Sequence, residues 1–186
     1  MVTEKVVLVD EDGTPIGTEL KATVHSARTP LHLAFSCHVL DPAGQVLATR
    51  RSLGKRTWPG VWTNSFCGHP QPGEPMEDAV VRRARDELGL RIRDLRVVLP
   101  RFRYRAVDAA GVVENEFCPV YEAVTDEGPR PNPDEVAEIA WPAPAALGAA
   151  LRGAPWAFSP WFVQQAREMS LYAAPGDDGR GGVVSR

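Results

Sequence analysis

Cysteine is scarce in this chain of 186 residues: there are three, Cys37, Cys67 and Cys118. So odd and sparse a set argues against a disulfide scaffold and suits a reducing cytoplasm. No apolar run approaches the ~18 residues a bilayer span requires. The opening Met-Val-Thr-Glu-Lys has neither the basic nor the apolar region of a signal peptide. No sign of charge dominates either, since 21 Lys+Arg stand against 24 Asp+Glu for a net charge of −3. That balance offers no bulk attraction to nucleic acid or to an anionic membrane. Internal repeats are missing, and no feature implies an obligate protein partner. What remains is an ordinary globular composition, 44% hydrophobic and 24% charged. It is enough for one domain over residues 1–174. Pro175–Arg186, rich in Gly, Asp and Arg, reads as a disordered tail.

Strands are expected at Lys5–Val9 and at Leu31–Leu40, the second turning through Asp41-Pro-Ala-Gly44 into Gln45–Arg50 as a hairpin. Pro75–Leu88 reads as a helix, with Pro75 at its start, Gly89 as its stop and an apolar stripe of Val80, Ala84 and Leu88. Val97–Arg105 and Val112–Val124 read as strands around a turn at Asp108–Gly111. A short strand before Trp141, a helix near Ala145–Leu151 and another over Trp161–Leu171 complete the pattern, the last starting at Ser159-Pro160. Such alternation predicts an α/β (α+β) fold, a mixed β-sheet sandwiched between helices.

One segment is chemically specific. Gly68-His-Pro-Gln-Pro-Gly-Glu74 is followed, seven residues on, by Arg82-Arg-Ala-Arg-Asp-Glu-Leu-Gly-Leu90. That spacing resembles the Nudix box, whose acidic residues hold divalent cations against a diphosphate. Here Arg83 stands where the box expects Glu, and Asp86 replaces another Glu. A cation at a metal-binding carboxylate position suggests that diphosphate is still held while metal-assisted hydrolysis is lost.

Three pairs of side chains outside the box belong together. Cys67 and His69 are two apart in extended chain and share a face, as do Glu114 and Glu116. His25 and His32 flank the loop 26–31. Three imidazoles and two carboxylates suit Mn²⁺, Zn²⁺ or Fe²⁺ better than Mg²⁺. Taken singly, each of these residues could be structural or exposed, and Cys67 could be a small buried apolar residue. His38, far along the strand from His32, carries no assigned role. If the turn centres on Ala110, facing residues have numbers summing to 220, which sets Tyr104 opposite Glu116, within reach of a hydrogen bond. A slip of one residue would turn Tyr104 to the other face.

With these residues the chain resembles the type I isopentenyl-diphosphate isomerases over about residues 3–170. The resemblance rests on Leu31-His-Leu-Ala-Phe-Ser36, Thr49-Arg-Arg-Ser52, Trp58-Pro-Gly-Val-Trp-Thr-Asn-Ser65, Cys67-Gly-His-Pro70, Phe102-Arg-Tyr-Arg105, Glu114-Asn-Glu116 and Trp156-Ala-Phe-Ser-Pro-Trp161. It implies a Nudix fold and the conversion of isopentenyl to dimethylallyl diphosphate in isoprenoid biosynthesis. The reaction protonates an alkene at C4, passes through a tertiary carbocation and removes a proton from C2.

The resemblance also implies roles. Glu116 with Tyr104 gives the proton, and the Cys67 thiolate takes one. His25, His32, His69, Glu114 and Glu116 hold Mn²⁺ or Zn²⁺. Glu87 and the Cys67 carbonyl hold Mg²⁺ with the diphosphate. Lys21, Arg51, Lys55 and Arg83 anchor the diphosphate, Trp161 faces the cation, and Trp62 lies nearby. Arg50, Arg56, Arg82 and Arg85 are left as surface charges or salt-bridge partners. Two other readings compete: a Nudix hydrolase of a nucleotide diphosphate, and an inactive Nudix module that binds a ligand. Both leave His25, His32, Cys67 and Glu116 without a common purpose.

Overall fold

The strand over Phe35–Leu40 is buried at its first five positions, and a segment buried on both faces can be satisfied only in the middle of a covered sheet. It is found there, in a four-stranded sheet, in a computed structural model that describes residues 4–174. The expected tail therefore lies outside the described residues.

In chain order the elements are β1 (Lys5–Val9), β2 (Pro15–Leu20), α1 (Lys21–Val24), β3 (His32–Leu33), β4 (Phe35–Leu40), β5 (Ala48–Arg51), β6 (Trp62–Thr63), β7 (Phe66–Gly68) and α2 (Met76–Leu88). Then come β8 (Arg93–Leu99), β9 (Arg103–Val107), β10 (Val113–Phe117), β11 (Val120–Val124), β12 (Val136–Ala140), α3 (Pro144–Gly153) and α4 (Pro160–Glu168). They build three sheets, ordered β2-β1-β3-β10-β9, β7-β4-β11-β8 and β12-β5-β6. The fold is α+β, as expected, with three sheets in place of one.

Three expected strands are corrected. The run Leu31–Leu40 divides at Ala34 into β3 and β4, which belong to different sheets. Val112–Val124 divides likewise at Cys118-Pro119, because proline has no N–H to continue a ladder. The two divided runs travel together, β3 parallel to β10 and β4 parallel to β11. Val97–Arg105 also breaks, into β8 and β9. The expected hairpin of β4 with β5 is only a stub: its turn bonds Asp41 N to Gln45 O at 3.0 Å, after which β5 pairs with β12 and β6. Buried β4 draws its neighbours from β7 and β11 instead.

Helix α2 follows its sequence signals closely. Pro75 stands just outside the first turn, Glu77 and Asp78 meet the positive N-terminal end of the helix, and Gly89 closes the other end at φ 63°. A residue with a Cβ would be strained at that φ. The buried stripe of Ala79, Val80, Ala84 and Leu88 packs against Phe35, Phe66 and Tyr121. A second core lies under α3 and α4, where Phe162, Leu147 and Tyr172 meet Val120 and Tyr104.

Candidate active site

The crossing of β3/β4 and β10/β11 from one sheet to another brings the site together. On the first sheet Glu116 pairs with His32 on one side and with Tyr104 on the other. The register of β9 with β10 is the one expected, with Glu114 opposite Ala106. On the second sheet Cys67 pairs with Ser36 of β4, and His69 follows one residue after β7. His25 caps the C-terminal end of α1.

His25, His32, His69 and Glu116 each offer one ligand atom, and these four atoms lie within 4.8 Å of one another. The ring centroids of His32 lie 5.2 Å from those of both His25 and His69. His32 Nδ1 donates to the Pro30 carbonyl at 3.0 Å, which leaves Nε2 with a lone pair aimed inward. That Nε2, His25 Nε2, His69 Nδ1 and Glu114 Oε2 are buried without a hydrogen-bond partner. His25 Nε2 is only 2.9 Å from Glu114 Oε2, so these buried polar atoms crowd together. A divalent cation is the partner that such a donor set lacks. Glu114 stands beside the group of four, its Oε1 accepting from Thr57 Oγ1 at 2.7 Å.

Electrostatics agrees with that grouping. Burial opposes ionisation of Glu116, but the imidazoles beside it, His32 at 3.6 Å and His69 at 3.2 Å, hold its pKa well below the usual carboxylate range. For His32, burial is outweighed by Glu116, so its pKa is raised; for His69, burial prevails and lowers it.

Cys67 faces this group across a cavity of about 610 Å³. Burial pushes its thiol up to about 11, opposed by the Ser36 hydrogen bond. The Tyr104 pKa is raised well above the usual phenol value, by burial first and then by Glu116 and Glu114. The phenol lies opposite Glu116, although no hydrogen bond joins the two among the described residues. Trp161, buried, lies tilted 5.5 Å from Tyr104 and donates Nε1–H to Asn64 Oδ1 at 3.1 Å. Trp62 packs on the core rather than lining the cavity, and Trp58 takes the place edge-on to Trp161.

Lys21, Arg51, Lys55 and Arg83 all line the same cavity. Arg51 is held by the Thr57 and Trp58 carbonyls at 2.7–3.1 Å, its guanidinium 5.3 Å from the Trp161 ring centre. Lys55 pairs with Glu135, and Arg83 pairs with both Glu87 and Glu135. Glu87 is buried behind Arg83 and is absent from the cavity wall. The other box acids turn away: Glu74 is bound by Arg82 at 2.7 Å, and Asp86 is half exposed. A hydrolytic cation cluster of Nudix type therefore has only one inward carboxylate on α2.

Sequence reading missed Glu135, Thr57, Asn64 and Arg56, all near or on the wall. Arg56, set aside as a surface charge, reaches the Ala22 carbonyl at 2.9 Å and lines the cavity. Asn64 lay inside a quoted motif and Thr57 just before it, but nothing in their spacing distinguished them. Glu135 sits in a loop rich in Pro and Asp and gave no signal.

The NUDIX domain family model matches residues 30–162. A relative from Kocuria rhizophila, named isopentenyl-diphosphate Delta-isomerase, is 65% identical over 93% of this chain and 96% of its own length. One of the same name from Leifsonia xyli is 59% identical over 96% of each. Among solved structures, DR0079 from Deinococcus radiodurans superposes with a TM-score of 0.69 at 25% identity, covering 88% of this chain and 98% of that one. A MutT protein from Methanosarcina mazei, at 18% identity and a TM-score of 0.55, shares the fold. With relatives this similar matched along nearly their whole length, the chain belongs to the isopentenyl-diphosphate Delta-isomerase family and is built on a NUDIX domain.

Proposed function

We propose that this enzyme interconverts isopentenyl and dimethylallyl diphosphate with Cys67 and Glu116 as its two proton-handling groups. The observation that carries the reading is one cavity lined by Cys67, Glu116, Tyr104 and Trp161 together with Lys21, Arg51, Lys55 and Arg83. A hydrolase would need carboxylates where Arg83 stands. An isomerase needs an acid and a base beside an anchored diphosphate.

In the forward direction the Glu116 carboxyl, assisted by Tyr104, gives its proton to C4, and the alkene electron pair forms the new C–H bond. The tertiary carbocation at C3 rests against Trp161, whose ring face is worth up to roughly 2 kcal/mol to a desolvated cation. Cys67 sulfur then takes the proton from C2, and that C–H pair becomes the new double bond. One turnover leaves a carboxylate and a thiol, which is the protonation state that the surroundings of Glu116 and Cys67 favour. To reset, the Cys67 thiol gives its proton to water and the Glu116 carboxylate takes one from water, so solvent hydrogen enters the product.

His25, His32, His69, Glu114 and Glu116 would hold a divalent cation, Mn²⁺ or Zn²⁺ by their donor chemistry. Bound there, it would weaken the hold of the Glu116 carboxyl on its proton. The cations on the opposite wall bind the diphosphate, Arg51 and Arg83 by paired N–H donors. Glu87, once released from Arg83, and the Cys67 carbonyl would hold a Mg²⁺, which would supply positive charge to the diphosphate. Chemistry at a free thiol suits a reducing compartment, and we place the enzyme in the cytoplasm.

Phosphorus and proton NMR with isopentenyl diphosphate, Mg²⁺ and added Mn²⁺ or Zn²⁺ in D₂O tests this. Expected are new allylic methyl signals, deuterium uptake and an intact diphosphate. Released phosphate would favour a hydrolase, and an unchanged spectrum a binding module.

A further inference from the structure

A buried row of hydrogen bonds leaves Cys67 and ends on the far side of the core, through residues with no part in the chemistry above. Ser36 Oγ lies 3.3 Å from the Cys67 sulfur and 3.4 Å from that of Cys118. Gln165, on α4, donates from Nε2 to Ser36 Oγ at 2.9 Å. His38 Nε2 lies 3.0 Å from Gln165 Oε1, and the Tyr172 hydroxyl lies 2.6 Å from His38 Nδ1. Ser36, His38, Gln165 and Tyr172 are all completely buried, so water cannot substitute for any member.

Donor and acceptor chemistry gives the row a direction. Burial lowers the His38 pKa to about 4, so at neutral pH the ring carries one N–H. An amide oxygen only accepts, so that proton is on Nε2 and points at Gln165, and Nδ1 accepts from Tyr172. The reverse direction would leave the Tyr172 O–H without an acceptor among the described residues, a costly omission for a buried hydroxyl. With Gln165 donating to it, Ser36 Oγ keeps one proton to give, and its neighbours in reach are the two sulfurs. The Cys118 thiol can fill the oxygen's other lone pair with its own S–H, which leaves the Ser36 proton for Cys67. Cys67 meets a second fixed partner in Asn64 Oδ1 at 3.4 Å, because Asn64 Nδ2 is committed to the Cys37 and Phe66 carbonyls at 3.1 and 2.8 Å.

We propose that His38, Gln165 and Tyr172 are positioning residues that act through Ser36, keeping its hydroxyl proton on the Cys67 sulfur and that sulfur aimed at the substrate carbon. The inference rests on Cys67 as a proton-handling group. It extends the working site to three side chains that line no part of the cavity. Packing alone would need neither the direction of the row nor its connection to a sulfur.

Two measurements on the full chain test it. Nitrogen-15 NMR of the resting enzyme should show His38 with the proton on Nε2 and a bare Nδ1; the opposite tautomer would reverse the row and overturn the proposal. In steady-state kinetics with isopentenyl diphosphate, Gln165→Met, similar in volume, should lower kcat about tenfold with KM unchanged. Tyr172→Phe should lower kcat by a smaller factor. In a Ser36→Ala background both changes should have no further effect on kcat, because they act through that hydroxyl. Losses that multiply in the double variants would mean independent packing roles and would sink the inference. Those outcomes are separate from the fate of the proposed function, which depends on whether Cys67→Ala retains turnover.

Discussion

Cys67 and Arg83 carry the two departures that separate this chain from a hydrolase. In the proposed mechanism the thiolate takes a proton from C2, so Cys67→Ala is expected to lower kcat by at least about 10³-fold. Diphosphate affinity, measured by calorimetry, should stay within a few fold, since the proposed anchors are other side chains than this sulfur. Near-full turnover in that variant would end the proposed mechanism. Arg83 is held between Glu87 and Glu135, so a guanidinium is already neutralised before substrate arrives and can exchange one carboxylate for phosphate. Arg83→Ala should raise KM about tenfold or more while moving kcat less. The histidines make a different prediction, read by metal content. After loading with Mn²⁺ or Zn²⁺ and dialysis, His32→Ala should retain much less of that metal than the unaltered chain, and activity should fall with it. Equal retention would remove His32 from the group.

Elements matter here chiefly through where they stop. Strands β3 and β10 end at the point where the chain changes sheet, which sets His32 and Glu116 side by side and leaves Cys67 on the other wall. Among the helices, α3 shows how little room the packing leaves. A Cβ on Gly148 would lie 2.3 Å from the Tyr172 carbonyl oxygen, and backbone cannot rotate out of the way. Gly148→Ala should therefore cost roughly 1–3 kcal/mol in urea unfolding, as overpacked sites do. A neutral result would show that α3 can slide on the turn containing Tyr172. Helix α2 was legible in the sequence because its signals are local: a proline before it, a stripe four apart and a glycine beyond it. The β9–β10 register was legible for the same reason, since one short turn determines it. The hairpin expected of β4 and β5 forms only next to its turn, because most pairing of a buried strand is settled by distant neighbours, β7 and β11.

At the scale of the whole molecule, buried His38 ties stability to pH. Its folded pKa of about 4 lies below the ordinary value of 6.5, so in acid the unfolded chain binds a proton that the native state refuses. Stability from this group is full above pH 6.5 and declines as pH falls toward 4. Between pH 7.5 and 5 the decline should be about 2 kcal/mol. Urea midpoints at those two pH values should draw closer in His38→Gln, which has no group titrating in that range. If the variant kept the full difference, other groups would account for the acid sensitivity.

The sequence by itself determined which side chains are available for chemistry. The altered box, the cysteine and histidine two apart, the paired glutamates and the lysines and arginines could be read in order, because residue types and local spacing carry them. Tertiary structure alone decided which of these groups converge and what supports them. It set Glu114 beside, rather than within, the group of four ligand atoms, and it put Glu87 behind Arg83. It also joined Gln165 to Ser36 across 129 residues of chain. Such contacts depend on how β4, β7 and α4 pack, and no local pattern of residues encodes a packing partner so distant.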